Sequence, residues 1–358
     1  MPLEEPSWWY GDAADPRRRL LAPLGELYGR IAEARFRRRQ PYRSRLPVIC
    51  VGNFTAGGTG KTPLAILIAR LLQARGKSPV FLTRGYGGRA LAPAWVEETA
   101  GAARRFGDEP LLLSRVAPTL VARDRKAGVR LIEDSGRNVS AVVMDDGLQN
   151  PSLAKDLSIA VVDGERGLGN GEVIPAGPLR APIEFQLGLV DAIVVSTPPG
   201  DAAGKAHGIH ALLRRGFPGP VLAARVMPRG DTGWLAEAPI VAFAGIANPR
   251  RFFALVESLG ARLLQRVAFP DHHPFSGADA ARLLSLAQAK GARLVTTEKD
   301  WVRLDGHEGV QRALLERTRP LAIELTLEDR DLGRLASLIE AATAEQGHPR
   351  RSARPPQL

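Results

Sequence analysis

A glycine-rich loop between an apolar strand and a helix constrains this chain more than any other feature. An apolar run at 47–51 leads into the loop, the loop ends in Gly-Lys-Thr, and an apolar helix starts at Pro63. Glycines let backbone N–H groups in such a loop turn toward an anion, and the positive end of the helix dipole adds to the attraction. We therefore predict a phosphate-binding loop, in which Lys61 contacts the β- and γ-phosphates of a nucleotide and Thr62 holds Mg²⁺.

The loop departs from the general phosphate-loop pattern at one position. Thr55 stands where the pattern has glycine, and Gly57 and Gly58 supply the flexibility instead. A glycine-rich turn without a ligand is the alternative, but the position of Gly-Lys-Thr between strand and helix favours the phosphate loop. The predicted nucleotide contacts are Thr55, Ala56, Gly57, Gly58, Thr59, Gly60, Lys61 and Thr62.

The composition indicates a two-domain protein of a reducing compartment. With 358 residues, 44% of them hydrophobic, the chain exceeds the usual size of one domain and can build substantial cores. Its single cysteine, Cys50, lies inside the apolar strand, which excludes a disulfide framework and a cysteine-based zinc site. Charged residues interrupt every long apolar run, so we expect neither a membrane-spanning segment nor a signal peptide. The formal net charge of +11 predicts an anionic partner: nucleic acid, an acidic membrane surface or a phosphorylated substrate.

The first 46 residues have a composition of their own. Aromatic residues at 8–10 precede a predicted helix at 16–38, whose ends are rich in arginine. An apolar stripe along one side of this helix consists of Leu20, Leu24, Leu27, Tyr28 and Ile31. Such a helix is typical of an element that lies in a membrane interface, and an ordinary surface helix with solvated arginines is the alternative. The residues alone leave both interpretations open.

The order of the predicted elements indicates an α/β fold. Strands alternate with helices, which predicts a P-loop NTPase-like, doubly wound, mostly parallel sheet with a second, smaller α/β domain. Two strands that flank the smaller domain are expected to pair as a linker. The predicted divisions are an N-terminal helix region at 1–46, a P-loop core domain at 47–219, linker strands at 220–227 and 320–327, a smaller lobe at 228–319, a C-terminal helix at 328–345 and a disordered tail at 346–358.

Two carboxylates follow a buried strand downstream of the phosphate loop. The apolar strand at 139–144 ends in Asp145 and Asp146. Carboxylate oxygens at the end of such a strand are where a nucleotide-bound Mg²⁺ is coordinated, whereas one aspartate there is commonly a turn residue. Two aspartates in this context favour metal binding.

Other polar residues have both a structural and a functional interpretation. Arg84 opens a glycine-rich loop that could bind phosphate or form a surface turn. Asp108 could be only a helix cap. His272 and His273 could ligate a metal, but the spacing provides no third ligand, so the residues alone favour a structural or solvated role.

Seven blocks of sequence, in order along the chain, resemble one known family. They lie at 52–63, 83–88, 107–110, 145–149, 175–180, 269–273 and 297–300. Together they resemble the tetraacyldisaccharide 4′-kinases, the lipid A 4′-kinases of Gram-negative bacteria. Leu148 and Asn150 depart from the phenylalanine and histidine that we expect in this family.

The resemblance implies a reaction, a location and partners. The implied reaction transfers the γ-phosphoryl group of ATP to the 4′-hydroxyl of a tetraacyl glucosamine disaccharide 1-phosphate, the lipid A precursor, to give lipid IV-A. ATP and Mg²⁺ are the implied cofactors, and two α/β lobes joined by a two-stranded linker are the implied architecture. The N-terminal helix would attach the protein peripherally to the anionic cytoplasmic face of the inner membrane. We expect a monomer and no nucleic-acid partner.

The resemblance also assigns roles to the ambiguous residues. Asp108 would be the base that accepts the proton of the sugar hydroxyl, and His272 from the other lobe would pair with it. The choice of His272 over His273 depends on motif position. Closure of the lobes around substrate would assemble the pair. The other implied residues are Lys61 as a catalytic cation, Gln149 at the nucleotide, Thr62, Asp145, Asp146 and Glu109 at the metal, and Arg84, Arg125 and Arg180 at anionic substrate groups.

Two other functions fit parts of the sequence. A membrane-associated regulatory or targeting ATPase would hydrolyse ATP without a sugar acceptor and would dimerise on nucleotide. A nucleic-acid-dependent NTPase, suggested by charge alone, would show hydrolysis that DNA or RNA stimulates, with a steep salt dependence.

Overall fold

The computed structural model describes residues 5–11, 15–99, 101–197, 203–304 and 308–344, so the tail predicted at 346–358 lies outside the described residues. The strands in these ranges are β1 (Val48–Asn53), β2 (Pro79–Thr83), β3 (Ala94–Trp95), β4 (Thr119–Val121), β5 (Ala141–Asp145), β6 (Leu157–Asp163), β7 (Ala192–Thr197), β8 (Val221–Pro228), β9 (Ile240–Ala244), β10 (Leu263–Ala268), β11 (Arg293–Thr297), β12 (Thr318–Leu321) and β13 (Ile323–Leu327). The helices are α1 (Pro16–Arg37), α2 (Lys61–Gln73), α3 (Ala102–Phe106), α4 (Asp108–Ser114), α5 (Arg125–Glu133), α6 (Ile183–Leu187), α7 (Ala203–Gly216), α8 (Pro249–Ser258), α9 (Gly277–Lys290), α10 (Glu298–Leu304), α11 (Gly309–Arg317) and α12 (Asp329–Thr343). None of these helices is both long enough and apolar enough to cross a bilayer.

The strands form a large sheet and a small one. The large sheet has the order β13-β8-β7-β6-β1-β5-β2-β4-β3, and the small sheet has the order β10-β9-β11-β12. Neighbouring strands are parallel in both sheets, apart from the antiparallel pairs β8–β13 and β3–β4 at the two edges of the large sheet. We call the large sheet with its helices the core domain, and β9–β12 with α8–α11 the smaller lobe. The predicted mostly parallel α/β fold is confirmed.

Both faces of the large sheet are covered, which is why its central strands are apolar along their whole length. Successive residues of β1 point to opposite faces. Ile49 and Val51 join a hydrophobic cluster with Leu64 and Ile68 of α2 on one face. Val48 and Cys50 join a second cluster, with Val129 and Ile132 of α5, on the other face. This packing fixes the end of β1, and therefore the glycine-rich loop, in the middle of the sheet.

Two neighbouring segments at one edge connect the core domain with the smaller lobe. Strand β8 leads into the smaller lobe, and β13 returns from it and pairs antiparallel with β8, Ile323 opposite Pro228. The segment 320–327, expected as a single linker strand, contains the end of β12 and all of β13. These two strands belong to different sheets, with Ala322 between them. The sequence of 320–327, in which Glu324 and Thr326 alternate with apolar residues, does not reveal which sheet each half joins.

Helix α1 packs on the core domain through glycine and leaves its apolar stripe exposed. Its buried residues are Gly25 and Gly29. A Cβ atom at Gly25 would lie 2.7 Å from the carbonyl oxygen of Val173, and one at Gly29 would lie 3.0 Å from a ring carbon of Pro182. The members of the apolar stripe are 47–78% exposed. An ordinary surface helix buries its apolar face, so α1 differs from that alternative.

Candidate active site

Asn53, at the end of β1, organises the glycine-rich loop. Its Nδ2 atom donates to the carbonyl oxygen of Thr55 at 2.7 Å and to that of Gly57 at 3.3 Å, and its Oδ1 atom accepts from Lys61 Nζ at 3.2 Å. Gly60, just before α2, has a φ of 89°, a left-handed conformation that favours glycine. The loop therefore ends at the N-terminus of α2, where unpaired backbone N–H groups attract anions.

Asp145 and Asp146, at the end of β5, have different surroundings. Thr62 Oγ1 donates to Asp145 Oδ2 at 3.3 Å, whereas Asp145 Oδ1 is buried without a hydrogen-bond partner among the described residues. Burial raises the pKa of Asp145 to about 6. Asp146 accepts from Arg180 Nη1 at 2.7 Å and lies 3.9 Å from Lys61 Nζ. Burial opposes the charge of Asp146, but these two cations outweigh it and lower the pKa of the carboxyl to about 2.

The surroundings of Asp145 fit a hard cation. The unpartnered Oδ1 of Asp145 and the hydroxyl of Thr62 are oxygen donors of the kind that Mg²⁺ prefers. Throughout the described ranges, no three His, Cys, Asp or Glu side chains are grouped as metal ligands. A cation here would therefore complete its shell with phosphate oxygens and water. Asp146, also expected at the metal, is ion-paired with Arg180 in this structure.

Asp108, the first residue of α4, forms a buried cluster with two side chains of the smaller lobe. Its Oδ2 atom accepts from Arg303 Nε at 2.6 Å and lies 3.0 Å from His272 Nδ1. The hydrogen bond to Asp108 raises the pKa of His272, while burial acts in the opposite direction. We call Asp108, His272 and Arg303 the cross-lobe cluster. In this cluster the expected catalytic base, Asp108, contacts the histidine that was expected to pair with it. Arg303 is an additional partner that was not expected.

The neighbouring histidine has different partners. His273 Nε2 lies 2.9 Å from Asp279 Oδ2, and its ring stacks on Phe269 with 4.6 Å between centroids. Asp279 also forms a capping box with Ser276 at the start of α9. The structure therefore places His272 toward Asp108 and His273 among side chains of its own lobe.

Glu109 makes a second ionic contact between the core domain and the smaller lobe. Its Oε1 atom accepts from Lys299 Nζ at 2.7 Å. Burial opposes the charge of Glu109, but Lys299 outweighs it and lowers the pKa of the carboxyl to about 2. Glu109 Oε2 is buried and has no hydrogen-bond partner among the described residues. One oxygen of Glu109 is therefore committed to the other lobe, and the second can accept a further ligand.

The three candidate arginines lie in different environments. Arg84 is exposed, and Arg180 lies beside the phosphate loop and pairs with Asp146. Arg125 is buried beneath the turn that follows β5, where its guanidinium donates to the carbonyl oxygen of Ala122 and, at 3.4 Å, to that of Asp146. Burial lowers the pKa of Arg125 to about 10. Arg125 thus supports the backbone at the carboxylates, and its guanidinium does not face open solvent.

Gln149 takes part in a network beneath the phosphate loop. Its Nε2 atom donates to the carbonyl oxygen of Asn53 at 2.7 Å and to Gln186 Oε1 at 2.7 Å. Gln186 is fully buried and donates to the carbonyl oxygens of Phe54 and Ala181. Gln149 therefore holds the end of β1 in place, and a nucleotide contact through its amide donors would compete with these bonds.

A further pair of ionic contacts joins the lobes. Arg251 of α8 donates through Nη2 to Asp163 Oδ1 at 2.9 Å and through Nε to Glu165 Oε2 at 2.9 Å. Asp163 ends β6, which is a neighbour of β1 in the large sheet. The two lobes therefore make ionic contacts both through α4 and through the end of β6.

Sequence reasoning missed several residues of this region, among them Asn53, Arg251, Lys299 and Arg303. Asn53 and Lys299 lie inside blocks that carry the family resemblance, so the blocks did contain a signal for them. Arg303 lies one helical turn after Lys299, on the same side of α10. Nothing in the sequence near Arg251 indicates its partners, because they lie in a distant segment.

The fold and the site together define a class of protein. A glycine-rich loop connects the central strand β1 to α2, and aspartates end β5 and β6 on either side of it. Carboxyl ends of adjacent parallel strands form the ligand crevice of an open α/β sheet. This is the arrangement of the phosphate-loop nucleotide-binding proteins.

Comparison with known proteins identifies the family within that class. The family model for tetraacyldisaccharide-1-P 4′-kinase, LpxK, matches residues 17–341, and the chain belongs to this family. A tetraacyldisaccharide 4′-kinase from Methylorubrum extorquens is 47% identical over 331 residues, which cover 91% of this chain and 97% of the relative. One from a Bradyrhizobium species is 43% identical over 352 residues, which cover 97% of this chain and 98% of the relative.

A solved structure has the same fold. LpxK from Aquifex aeolicus, crystallised in complex with ATP, superimposes with a TM-score of 0.68 at 24% identity and covers 91% of this chain and 99% of its own. This likeness confirms the predicted phosphate-loop α/β fold. Membership of the family confirms the kinase class implied by the seven sequence blocks, and it does not favour the two ATPase alternatives.

Proposed function

We propose that this protein transfers the γ-phosphoryl group of ATP to the 4′-hydroxyl of a tetraacyl glucosamine disaccharide 1-phosphate, and so forms lipid IV-A. Relatives that align with nearly the whole chain are named tetraacyldisaccharide 4′-kinase. The observation that carries the proposal is the cross-lobe cluster. The cluster places a carboxylate bonded to a histidine beside Glu109, which lies close enough to Asp145 for their charges to interact. Deprotonation of a sugar hydroxyl requires such a carboxylate near the phosphate site.

Each residue has a part in this reaction. The backbone of the glycine-rich loop and Lys61 bind the phosphates of ATP and limit their motion. Thr62 and Asp145 would hold Mg²⁺, which neutralises phosphate charge when bound. Asp108 accepts the proton of the acceptor hydroxyl as that oxygen approaches the γ-phosphorus. His272, with its pKa raised by Asp108, keeps the carboxylate oriented and can share the proton.

We further infer that α1 attaches the protein peripherally to the anionic cytoplasmic face of the inner membrane. The apolar stripe of α1 supports this location. The helix packs against the core domain along Gly25 and Gly29, which leaves the stripe largely exposed and able to enter a membrane interface. Arginines flank the stripe at both ends of the helix and would meet acidic lipid headgroups. Both halves of the cross-lobe cluster come from one chain, so the protein can act as a monomer.

A radiolabel experiment tests the proposed reaction. The purified full chain is incubated in detergent with γ-labelled ATP, Mg²⁺ and the tetraacyl disaccharide 1-phosphate, and the lipids are separated by chromatography. The proposal predicts a labelled bisphosphorylated lipid, and predicts its loss in Lys61→Met, which cannot bind the phosphates in the same way. ATP hydrolysis without any labelled lipid would contradict the proposal and would favour the regulatory ATPase.

A further inference from the structure

We propose that Arg303 is a positioning residue for phosphoryl transfer. From the smaller lobe, Arg303 binds one carboxylate oxygen of Asp108, Oδ2. The other oxygen, Oδ1, is thereby oriented toward the acceptor hydroxyl. This inference rests on the proposed function, because Asp108 needs an oriented oxygen only if it accepts the hydroxyl proton.

The contact between the two residues is buried and charged. Arg303 Nε donates to Asp108 Oδ2 at 2.6 Å, and the two side chains are 6% and 8% exposed. Hydrogen bonds between ionised partners are shorter and stronger than neutral ones. A guanidinium also donates along fixed directions in one plane, whereas an ammonium group does not. Arg303 can therefore fix the rotation of the Asp108 carboxylate as well as its position.

Both donors from the smaller lobe use the same oxygen. His272 Nδ1 lies 3.0 Å from Asp108 Oδ2, the atom that Arg303 also binds. Among the residues that the structure describes, none donates a side-chain hydrogen bond to Asp108 Oδ1. One oxygen of the carboxylate is consequently anchored twice, and the lone pairs of the other remain available for a proton.

Arg303 is itself held by groups of its own lobe. Its Nη1 atom donates to Asp300 Oδ1 at 2.7 Å and to the carbonyl oxygen of Gly245 at 2.7 Å. Asp300 is fully buried and also accepts from the backbone N–H of Gly245 and from Thr297 Oγ1. Burial opposes the charge of Arg303, but Asp108 and Asp300 outweigh it and raise the pKa of the guanidinium. The donor that meets Asp108 is therefore rigid and charged.

Other charged groups lie near Asp108. Lys299, one turn before Arg303 on α10, is neutralised by Glu109, which follows Asp108 on α4. Asp300 shares Arg303 with Asp108, and His272, which belongs to the cluster, also faces Asp271 with 3.8 Å between Nε2 and Oδ2. Removal of the Arg303 charge would thus leave Asp108 with His272 as its only remaining side-chain hydrogen-bond donor among the described residues.

A purely structural role is the competing interpretation. Arg303 could serve only to join Asp300 and Gly245 within the smaller lobe, with Asp108 as an incidental partner. In that case its loss would reduce folding, ATP binding and turnover together. A positioning role predicts that turnover falls while binding and folding are kept.

Three variants separate the two roles. Arg303→Met removes the charge and keeps the length, Arg303→Lys keeps a charge without the planar donors, and Arg312→Gln removes an exposed arginine of α11 as a matched control. For each, kcat and KM are measured for ATP and for the lipid acceptor, together with thermal unfolding. Arg303→Met is expected to lose about 10- to 100-fold in kcat, since a small misplacement of a reacting group costs about that much.

The positioning role makes further predictions for the same variants. The KM values of Arg303→Met should stay within about threefold, because substrate binding does not use this contact. Arg303→Lys should recover part of the lost kcat. Arg312→Gln should match the unaltered protein.

Several results would overturn the inference. An unchanged kcat in Arg303→Met would do so, as would a kcat that falls only in proportion to the folded fraction. If Arg303→Met does not fold, Arg303→Lys decides, and a kcat equal to that of the unaltered protein would refute the role. An unaltered protein that fails to phosphorylate the lipid would instead overturn the proposed function, and this inference with it.

Discussion

His272 Nδ1 lies 3.0 Å from Asp108 Oδ2, although 164 positions separate the two residues along the chain. The histidine follows β10 of the smaller lobe, and the aspartate begins α4 of the core domain. The contact joins the two lobes. We expect it to be lost if the lobes separate, so that the proposed base would be oriented only in the arrangement seen here.

The His272 contact should make stability depend on pH. The pKa of His272 is raised above its ordinary value of 6.5, mainly by the hydrogen bond to Asp108, so the folded protein binds this proton more tightly than the unfolded chain does. The contribution is fully present below about pH 6.5 and is lost as pH rises through the folded-state pKa. His272→Gln should therefore lower the free energy of unfolding more at pH 6 than at pH 9, as measured by denaturant titration at about these two values.

An exposed histidine provides the control for that comparison. His207 lies on α7 with its side chain in solvent, so His207→Gln should leave the difference between the two pH values unchanged. An equal loss of stability for His272→Gln at both pH values would contradict the assignment of the raised pKa to the contact with Asp108.

Asn53 should prove essential for ATP affinity. It is fully buried, and its amide joins two loop carbonyls to Lys61. Asn53→Ala leaves buried acceptors unpaired, which costs about 1–3 kcal/mol and loosens the loop. We expect ATP affinity, measured by calorimetry, to fall about tenfold or more, since about 1.4 kcal/mol corresponds to a factor of ten.

Ser196 is a suitable control, because its side chain lies near Gly60 but is not one of the groups through which Asn53 holds the loop. Ser196→Ala should bind ATP with nearly unaltered affinity. Full ATP affinity in Asn53→Ala would refute the view that this side chain shapes the phosphate loop.

The exposed stripe of α1 should determine membrane binding. Leu24 and Leu27 are 54% and 56% exposed, so replacing both with Gln removes apolar surface without opening a cavity. Burying one leucine is worth about 1.5–3 kcal/mol, and the double variant should therefore lose at least about tenfold in partition to vesicles that contain anionic phospholipid. Its thermal unfolding should be unchanged.

Leu212 on α7 is 66% exposed and provides the matched control for vesicle cosedimentation. Leu212→Gln should bind vesicles as the unaltered protein does. If the Leu24/Leu27 double variant also binds normally, another surface attaches the protein.

The parts of the site that depend on local order could be predicted from the sequence. The glycine-rich loop and the strand that ends at Asp145 are recognisable because strand, loop and helix follow each other directly. The family blocks also indicated Asp108 and His272. The split of 320–327 between two sheets was not predictable, because apolar residues occur in both halves and only tertiary pairing distinguishes them.

The partners of individual side chains could not be predicted. Arg125 and Arg180 look alike in sequence, yet one is buried under the turn after β5 and the other pairs with Asp146. Arg303 meets Asp108 only because α10 packs beside α4. Such contacts depend on how two lobes close, and no periodicity along a single segment encodes that.

Single-turnover phosphoryl transfer by Asp108→Asn tests the central claim most directly. The variant keeps the size and the polar character of the side chain but cannot accept the hydroxyl proton. With ATP affinity measured alongside, we expect unaltered binding and a rate of lipid phosphorylation that is lower by about 10²- to 10⁴-fold. A rate equal to that of the unaltered protein would contradict the account, since the acceptor would then be deprotonated by another group.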